Sequence, residues 1–233
     1  MTKVEQTDIA KEIMNSLVHV NTSFCIVKQY NQLLKNYEHE IELSPCFYST
    51  IFNSLVETIM MGLGRIYDRH KDSQGISKVM NRFEGSLENL EVDLSQTITR
   101  KLSNKAEQKF FQKLPQYSAL LSPHHCEITI NEYLNFFSWQ LAEYDDLIKN
   151  LLKQRNGFYA HHDKKYLLNN SQELFERYGL SYEDVQKLID FAIEFFRVVL
   201  ALLTDVWVAD LPINAHDWIH TLERVKITMT LKE

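Results

Sequence analysis

Apolar residues return every three or four positions through most of this chain, and the period changes only where polar clusters interrupt it. Ile9, Ile13, Leu17, Val20, Phe24, Val27, Tyr30 and Leu34 form one such stripe, which predicts a long amphipathic helix over about 8–35 with Asp8 as its N-cap. A second helix is expected from Pro45, with Ser44 as N-cap and proline in the first helical position, where its missing N–H costs nothing. Its apolar residues cover nearly the whole circumference before Asp68, the pattern of a central helix. After a turn at 72–75 the pattern predicts a short helix near 76–83, then a Glu-rich polar stretch, then a helix over about 94–114 that Pro115 stops. The clearest periodicity follows, in Tyr133, Leu134, Phe137, Leu141, Tyr144, Ile148, Leu151 and Leu152. A further core helix opens at Ser181-x-x-Asp184, a capping box with an acidic first turn, and runs apolar to Trp207. "HDWIHTLERVK", beyond Pro212, is expected to close the chain as a helix.

Composition sharpens this to an all-α fold. Six glycines and four prolines in 233 residues are too few for the turns of a sheet-rich fold, and 45% hydrophobic residues suffice for a continuous core. Without repeats or a Pro/Ser-rich linker, the simplest organisation is one domain over 1–233, with a core at about 8–207 and a C-terminal helix and tail at 208–233. Three widely spaced cysteines, Cys25, Cys46 and Cys126, suggest neither a disulfide framework nor a thiolate zinc site. A charged N-terminus and the lack of a membrane-length apolar run lead us to expect a cytoplasmic protein that does not engage the membrane.

Charge changes the picture again. A net charge of −6 argues against a general nucleic-acid coat protein, yet the cations are clustered. Residues 100–113 hold Arg100, Lys101, Lys105, Lys109 and Lys113 against Glu107, and residues 149–165 hold Lys149, Lys153, Arg155, Lys164 and Lys165 against Asp163. Each island nets +4, which leaves −14 on the remainder. The first island is either an ordinary solvated helix face or a surface that tracks phosphates; together the two can form one basic patch.

The second island contains "LLKQRNGFYAHHDKKY", residues 151–166. Following the seam from Leu141 through Tyr144, Ile148 and Leu152, the next inward-leaning position is Arg155. Gly157, which weakens a helix interior by about 1 kcal/mol relative to alanine, then marks a kink or an end. His161 and His162 lie six and seven residues beyond Arg155, so a continued helical path brings either toward the arginine's face. Such a pair suits phosphodiester cleavage without a metal. Imidazole can move a proton at a ribose 2′-hydroxyl or a leaving oxygen, and a guanidinium can bind the phosphate and offset the charge of a pentacoordinate transition state. Asn156 can orient either partner. The plainer reading is a helix C-terminus carrying cations that its macrodipole favours.

"RNGFYAHHDKK" resembles the R-polar-x(3–5)-H signature of the HEPN superfamily, the higher eukaryote and prokaryote nucleotide-binding helical domains, and its "AHxDK" ending is similar to the abortive-infection-associated, AbiU2-like branch. "GLGRIYDRHKDSQGISKVMNRF" resembles a segment of that branch in which an R-x-x-D pair, here Arg65 and Asp68, precedes a short helix. The resemblance implies an up-and-down helical bundle with extra peripheral helices, commonly dimeric, in which Arg155 and His161 serve metal-independent RNA cleavage and Asn156 is the motif's polar residue. His162, Asp163 and Lys164 match only the branch-specific ending. It implies a toxin or antiphage-defence ribonuclease or, in non-catalytic members, a binding and dimerisation module for RNA, a nucleotide or a partner protein; an antitoxin is a further expected partner. The expected RNA-binding residues are Arg100, Lys101, Lys105, Lys109, Lys153 and Lys165. No metal or other cofactor is expected.

Other features carry less. Arg65 and Asp68 form either a surface ion pair or a buried brace for the motif helix. His216 and His220 have an i, i+4 metal spacing, but neither the glutamate of HExxH nor a third ligand is nearby; His124, His125 and Cys126 are adjacent rather than spaced. The chain contains neither GxxxxGK[ST] nor GxGxxG, so ATP hydrolysis and a Rossmann cofactor are not indicated.

Overall fold

The computed structural model describes residues 2–70, 72–86, 130–160, 176–208 and 215–230. Among them all regular structure is helical and none is strand. The elements are α1 (Lys3–Leu33), extended by a 3₁₀ turn (Leu34–Asn36), α2 (Glu38–Glu42), α3 (Pro45–Ile66), α4 (Ile76–Ser86), α5 (Ile130–Glu143), α6 (Asp145–Gln154), a π-helical turn (Arg155–Ala160), α7 (Tyr182–Thr204) and α8 (Asp217–Thr230). The expected helix at 94–114, its cations and the "PHHCE" histidines lie outside the described residues.

Local chemistry sets the boundaries. Contrary to the assignment of Asp8 as its cap, α1 starts five residues earlier. Thr2 and Glu5 form a reciprocal capping box, with Glu5 N–H donating to Thr2 Oγ1 at 3.3 Å and Thr2 N–H to Glu5 Oε2 at 2.7 Å. Ser181 and Asp184 form the expected box at the start of α7, where Asp184 N–H donates to Ser181 Oγ at 3.1 Å and Ser181 N–H returns a bond to Asp184 Oδ2 at 3.1 Å. That helix stops at Thr204 rather than continuing to Trp207, because Asp205 takes a left-handed conformation, φ 55°.

The α7 box is also pH-dependent. The hydrogen bond from Ser181, above all, holds the Asp184 carboxyl below its usual range. The stability it contributes is present above the unfolded-state carboxylate pKa and is lost as pH falls through the lowered folded value. Ser181→Ala is expected to cost about 1 kcal/mol in urea unfolding at pH 7, and the part of that difference carried by the Asp184 carboxylate is expected to fade as acid protonates it.

The chain divides into two compact units, each assembled from three stretches. The first comprises Met1–Met14, Arg65–Lys149 and Asp190–Ala209. Its core is an aromatic lattice around α7: Phe191 stacks on Tyr67 at 6.4 Å and takes the edges of Phe137 at 5.8 Å and Tyr144 at 5.7 Å, while Phe195 meets Phe137 at 5.3 Å and Phe196 at 5.1 Å. Burial, with Tyr144 and Asp190 nearby, pushes the Tyr67 phenol well above its ordinary pKa, so it stays neutral. One ion pair lies inside this apolar packing, from Arg197 Nη1 to Glu194 Oε2 at 3.3 Å.

The second unit comprises Asn15–Gly64, Asn150–Ile189 and Asp210–Glu233. Leu17, Val20, Phe24 and Val27 of α1 are buried in it, as are Ile59, Met60 and Leu63 of α3. Gln29 fastens α8 to α1: its Oε1 accepts Trp218 Nε1–H at 3.0 Å, and its Nε2 lies 3.2 Å from His216 Nδ1. Although the sequence pattern makes α3 a central helix, its apolar face is buried only from Ile59 onward. Its first half is open to solvent, with Phe47 59% and Ile51 40% exposed, and the hydroxyls of Thr50, Ser54 and Thr58 donate to carbonyls four residues back. Apolar periodicity reports which face a helix can bury, not whether a neighbour covers it.

Candidate functional site

The motif helix is built in two pieces. The single helix implied by the periodicity from Tyr133 to Leu152 is interrupted at Tyr144, and α6 restarts with Asp145 and Asp146 in its first turn, where the macrodipole favours acids. Asp145 takes two cations, Lys149 Nζ at 2.6 Å and Arg69 Nη2 at 2.6 Å. The bond from Lys149, then that from Arg69, holds its carboxyl below the usual range. Arg69 thereby ties the turn after α3 to the start of α6. Lys149 is also 3.3 Å from Asp146, so carboxylates already engage one cation of the second basic island.

The seam does not pass through Leu152 to Arg155; it follows Ile148, Leu151 and Gln154, with Leu152 and Arg155 half-buried on its flank. Gln154 is a polar residue at a core position, only 4% exposed, and its side-chain amide donates to the Tyr178 carbonyl. That bond satisfies a group whose burial would otherwise be costly and anchors the end of α6.

Beyond Gln154 the backbone widens into the π turn Arg155–Ala160. Gly157 lies inside this rare helical form, which occurs mostly as short insertions and often at functional sites. Arg155 opens the turn and its guanidinium is held from two sides. Nη1–H donates to the Gly64 carbonyl at 2.7 Å, and Nε–H donates to Asn156 Oδ1 at 2.9 Å. Asn156 is exposed and its Oδ1 partners the arginine; its other candidate partner, His161, lies outside the described residues.

The Gly64 carbonyl is available because α3 is ending. In a continued helix it would accept the N–H of Asp68, but that N–H turns to Arg65 O at 3.4 Å. Asp68 Oδ1 accepts the His70 N–H at 2.9 Å, an Asx-type turn, and Ser73 Oγ–H donates to the carbonyls of Asp68 and His70 at 2.8 Å each. The sequence reading offered Asp68 as one half of a surface ion pair or a brace; the structure gives it this turn-forming bond. Arg65 is exposed, as is Lys153.

His161, His162, Asp163, Lys164 and Lys165 lie outside the described residues, as do Arg100, Lys101, Lys105 and Lys109. The described site is thus Arg155 with Asn156, Gly64 and Gln154. The last two were not singled out from sequence. Their signals were a Gly62-x-Gly64 pair in an otherwise apolar helix and a glutamine on the apolar seam. Among the described residues no group of three or more His, Cys, Asp or Glu side chains could hold a metal ion, and no helix is long and apolar enough to cross a membrane. Nδ1 of His220 lies 3.0 Å from Glu223 Oε2.

Fold and site together define an all-α protein with an arginine presented on a π turn against the end of a second helix. The sequence pattern of the AbiU2 family of HEPN domains matches residues 5–221, and the chain belongs to that family. No curated protein and no solved structure gives a significant match.

Proposed function

We propose that this protein is an endoribonuclease of the abortive-infection type, which cleaves RNA by attack of a ribose 2′-hydroxyl on the adjacent phosphate and needs no metal to do so. The observation that carries this reading is the fixed arginine: Gly64 and Asn156 hold the Arg155 guanidinium from opposite sides, on a π turn six residues before His161. In this mechanism Arg155 binds the scissile phosphate and takes up the negative charge that develops as the 2′-oxygen adds. His161 removes the 2′-hydroxyl proton or delivers one to the 5′-oxygen leaving group, a role suited to imidazole. The 2′-oxygen–phosphorus bond forms as the bond to the 5′-oxygen breaks, giving a 2′,3′-cyclic phosphate. One short motif supplies few groups, and two copies facing each other across a two-fold axis supply both an acid and a base. Lys153, with the cations of 100–109 and Lys165, holds the flanking backbone. Control by an antitoxin partner belongs to the same reading.

Single-stranded RNA incubated with the protein in EDTA is expected to yield fragments ending in 2′,3′-cyclic phosphate. RNA that is shifted in a gel but remains intact would favour the alternative supported by the family, a binding module that holds RNA without turnover.

A further inference from the structure

Two glycines sit near the end of α3, and each admits a different neighbour. Positions two apart on an α-helix point about 200° away from each other. A Cβ at Gly62 would stand 2.3 Å from Val20 Cγ2 on α1. A Cβ at Gly64 would stand 2.2 Å from Arg155 Cδ, 3.0 Å from Cγ and 3.3 Å from Nε. Real Cβ atoms essentially never come that close, and the clash falls on the middle of the arginine stem rather than its tip.

We propose that Gly64 is a positioning residue for Arg155. Its missing side chain makes the channel in which the arginine stem lies, and its carbonyl, released by the end of α3, receives Nη1 at 2.7 Å. One residue therefore sets both where the stem runs and how the fork is rotated, while Asn156 Oδ1 fixes the Nε edge. The glycine is required for close approach of a side chain, not for backbone freedom. Alanine at 64 keeps a good helix former in α3 but drives the arginine out of its channel, so the expected defect lies in the site rather than in the helix. The role in cleavage rests on the reading of Arg155 as the phosphate-binding group; the positioning itself does not.

Two readouts separate these claims. In the folded protein without RNA, the Arg155 Nε–H resonance, assigned by its loss in Arg155→Ala, is expected to be protected from exchange in the parent and to move or broaden in Gly64→Ala. An unchanged resonance overturns the positioning role whatever happens to RNA. The second is single-turnover cleavage of RNA by the two single variants and the double. Displacing a catalytic group by about 1 Å costs on the order of a hundredfold, so Gly64→Ala is expected to lose about that much kcat/KM, and the loss is expected to disappear in the Arg155→Ala background. A Gly64→Ala enzyme with full activity beside an inactive Arg155→Ala enzyme overturns the positioning role alone. A fully active Arg155→Ala enzyme overturns the cleavage reading and, with it, any catalytic part for Gly64. Should Gly64→Ala fail to give the parent's helical circular dichroism, the parent protein still decides: rapid averaging of the Arg155 guanidinium nitrogens would show that Gly64 does not hold it.

Discussion

Arg155→Ala is expected to lower RNA cleavage by about a hundredfold to a thousandfold, the usual loss when one preorganised donor to a developing charge is removed. Helical circular dichroism should be unchanged. The side chain is half-buried, and although its bond to the Gly64 carbonyl caps one of the last carbonyls of α3, a single such bond contributes only about 1 kcal/mol to stability. A merely structural arginine would show the reverse, a lower melting temperature with cleavage intact. His161→Ala should cost about 10²- to 10⁴-fold as the loss of a general acid or base, and His162→Ala much less if His161 is the residue beside the arginine. Comparing the two histidine variants against Arg155→Ala under single-turnover conditions assigns the motif.

The second large effect is on stability. Phe195 is fully buried in α7, with Phe137 edge-on at 5.3 Å, Phe196 edge-on at 5.1 Å and Phe191 stacked at 6.5 Å. Phe195→Ala removes the ring and its dispersion contacts and leaves a cavity, and is expected to cost about 3–5 kcal/mol in urea unfolding. At about 2–4 °C per kcal/mol for a chain of this length, melting should fall on the order of 10 °C. Phe195→Leu, which retains most of the volume, should cost clearly less. Equal losses from the two substitutions would mean that the aromatic lattice contributes by its edge-to-face geometry rather than by volume.

Patterns along one chain were enough to find most of the described helices. The stripe of α1, Pro45 opening α3 and the Ser181–Asp184 box are all local properties, set by spacing and capping. The misses have particular causes. "TKVE" is itself a capping box, and it sets the start of α1 ahead of Asp8. The acidic pair Asp145–Asp146 is the signal of a new first turn, and the buried face beyond it holds Gln154, with Leu152 and Arg155 only half-buried. Gly64 was passed over for a different reason. Its role is defined by a side chain 91 positions away, and within its own helix a glycine shows only a cost. Exposure of Phe47 and Ile51 was equally outside the pattern, since an apolar face reads the same whether or not anything packs on it.

One substrate tests the central claim directly: an RNA carrying a single 2′-deoxynucleotide on the 5′ side of the mapped cleavage position, incubated with the protein in EDTA. If Arg155 and His161 promote attack by that 2′-hydroxyl, the modified RNA binds as the parent does and remains uncut at that bond, while cleavage elsewhere continues. Cleavage at the deoxy position at the parent rate would contradict the account.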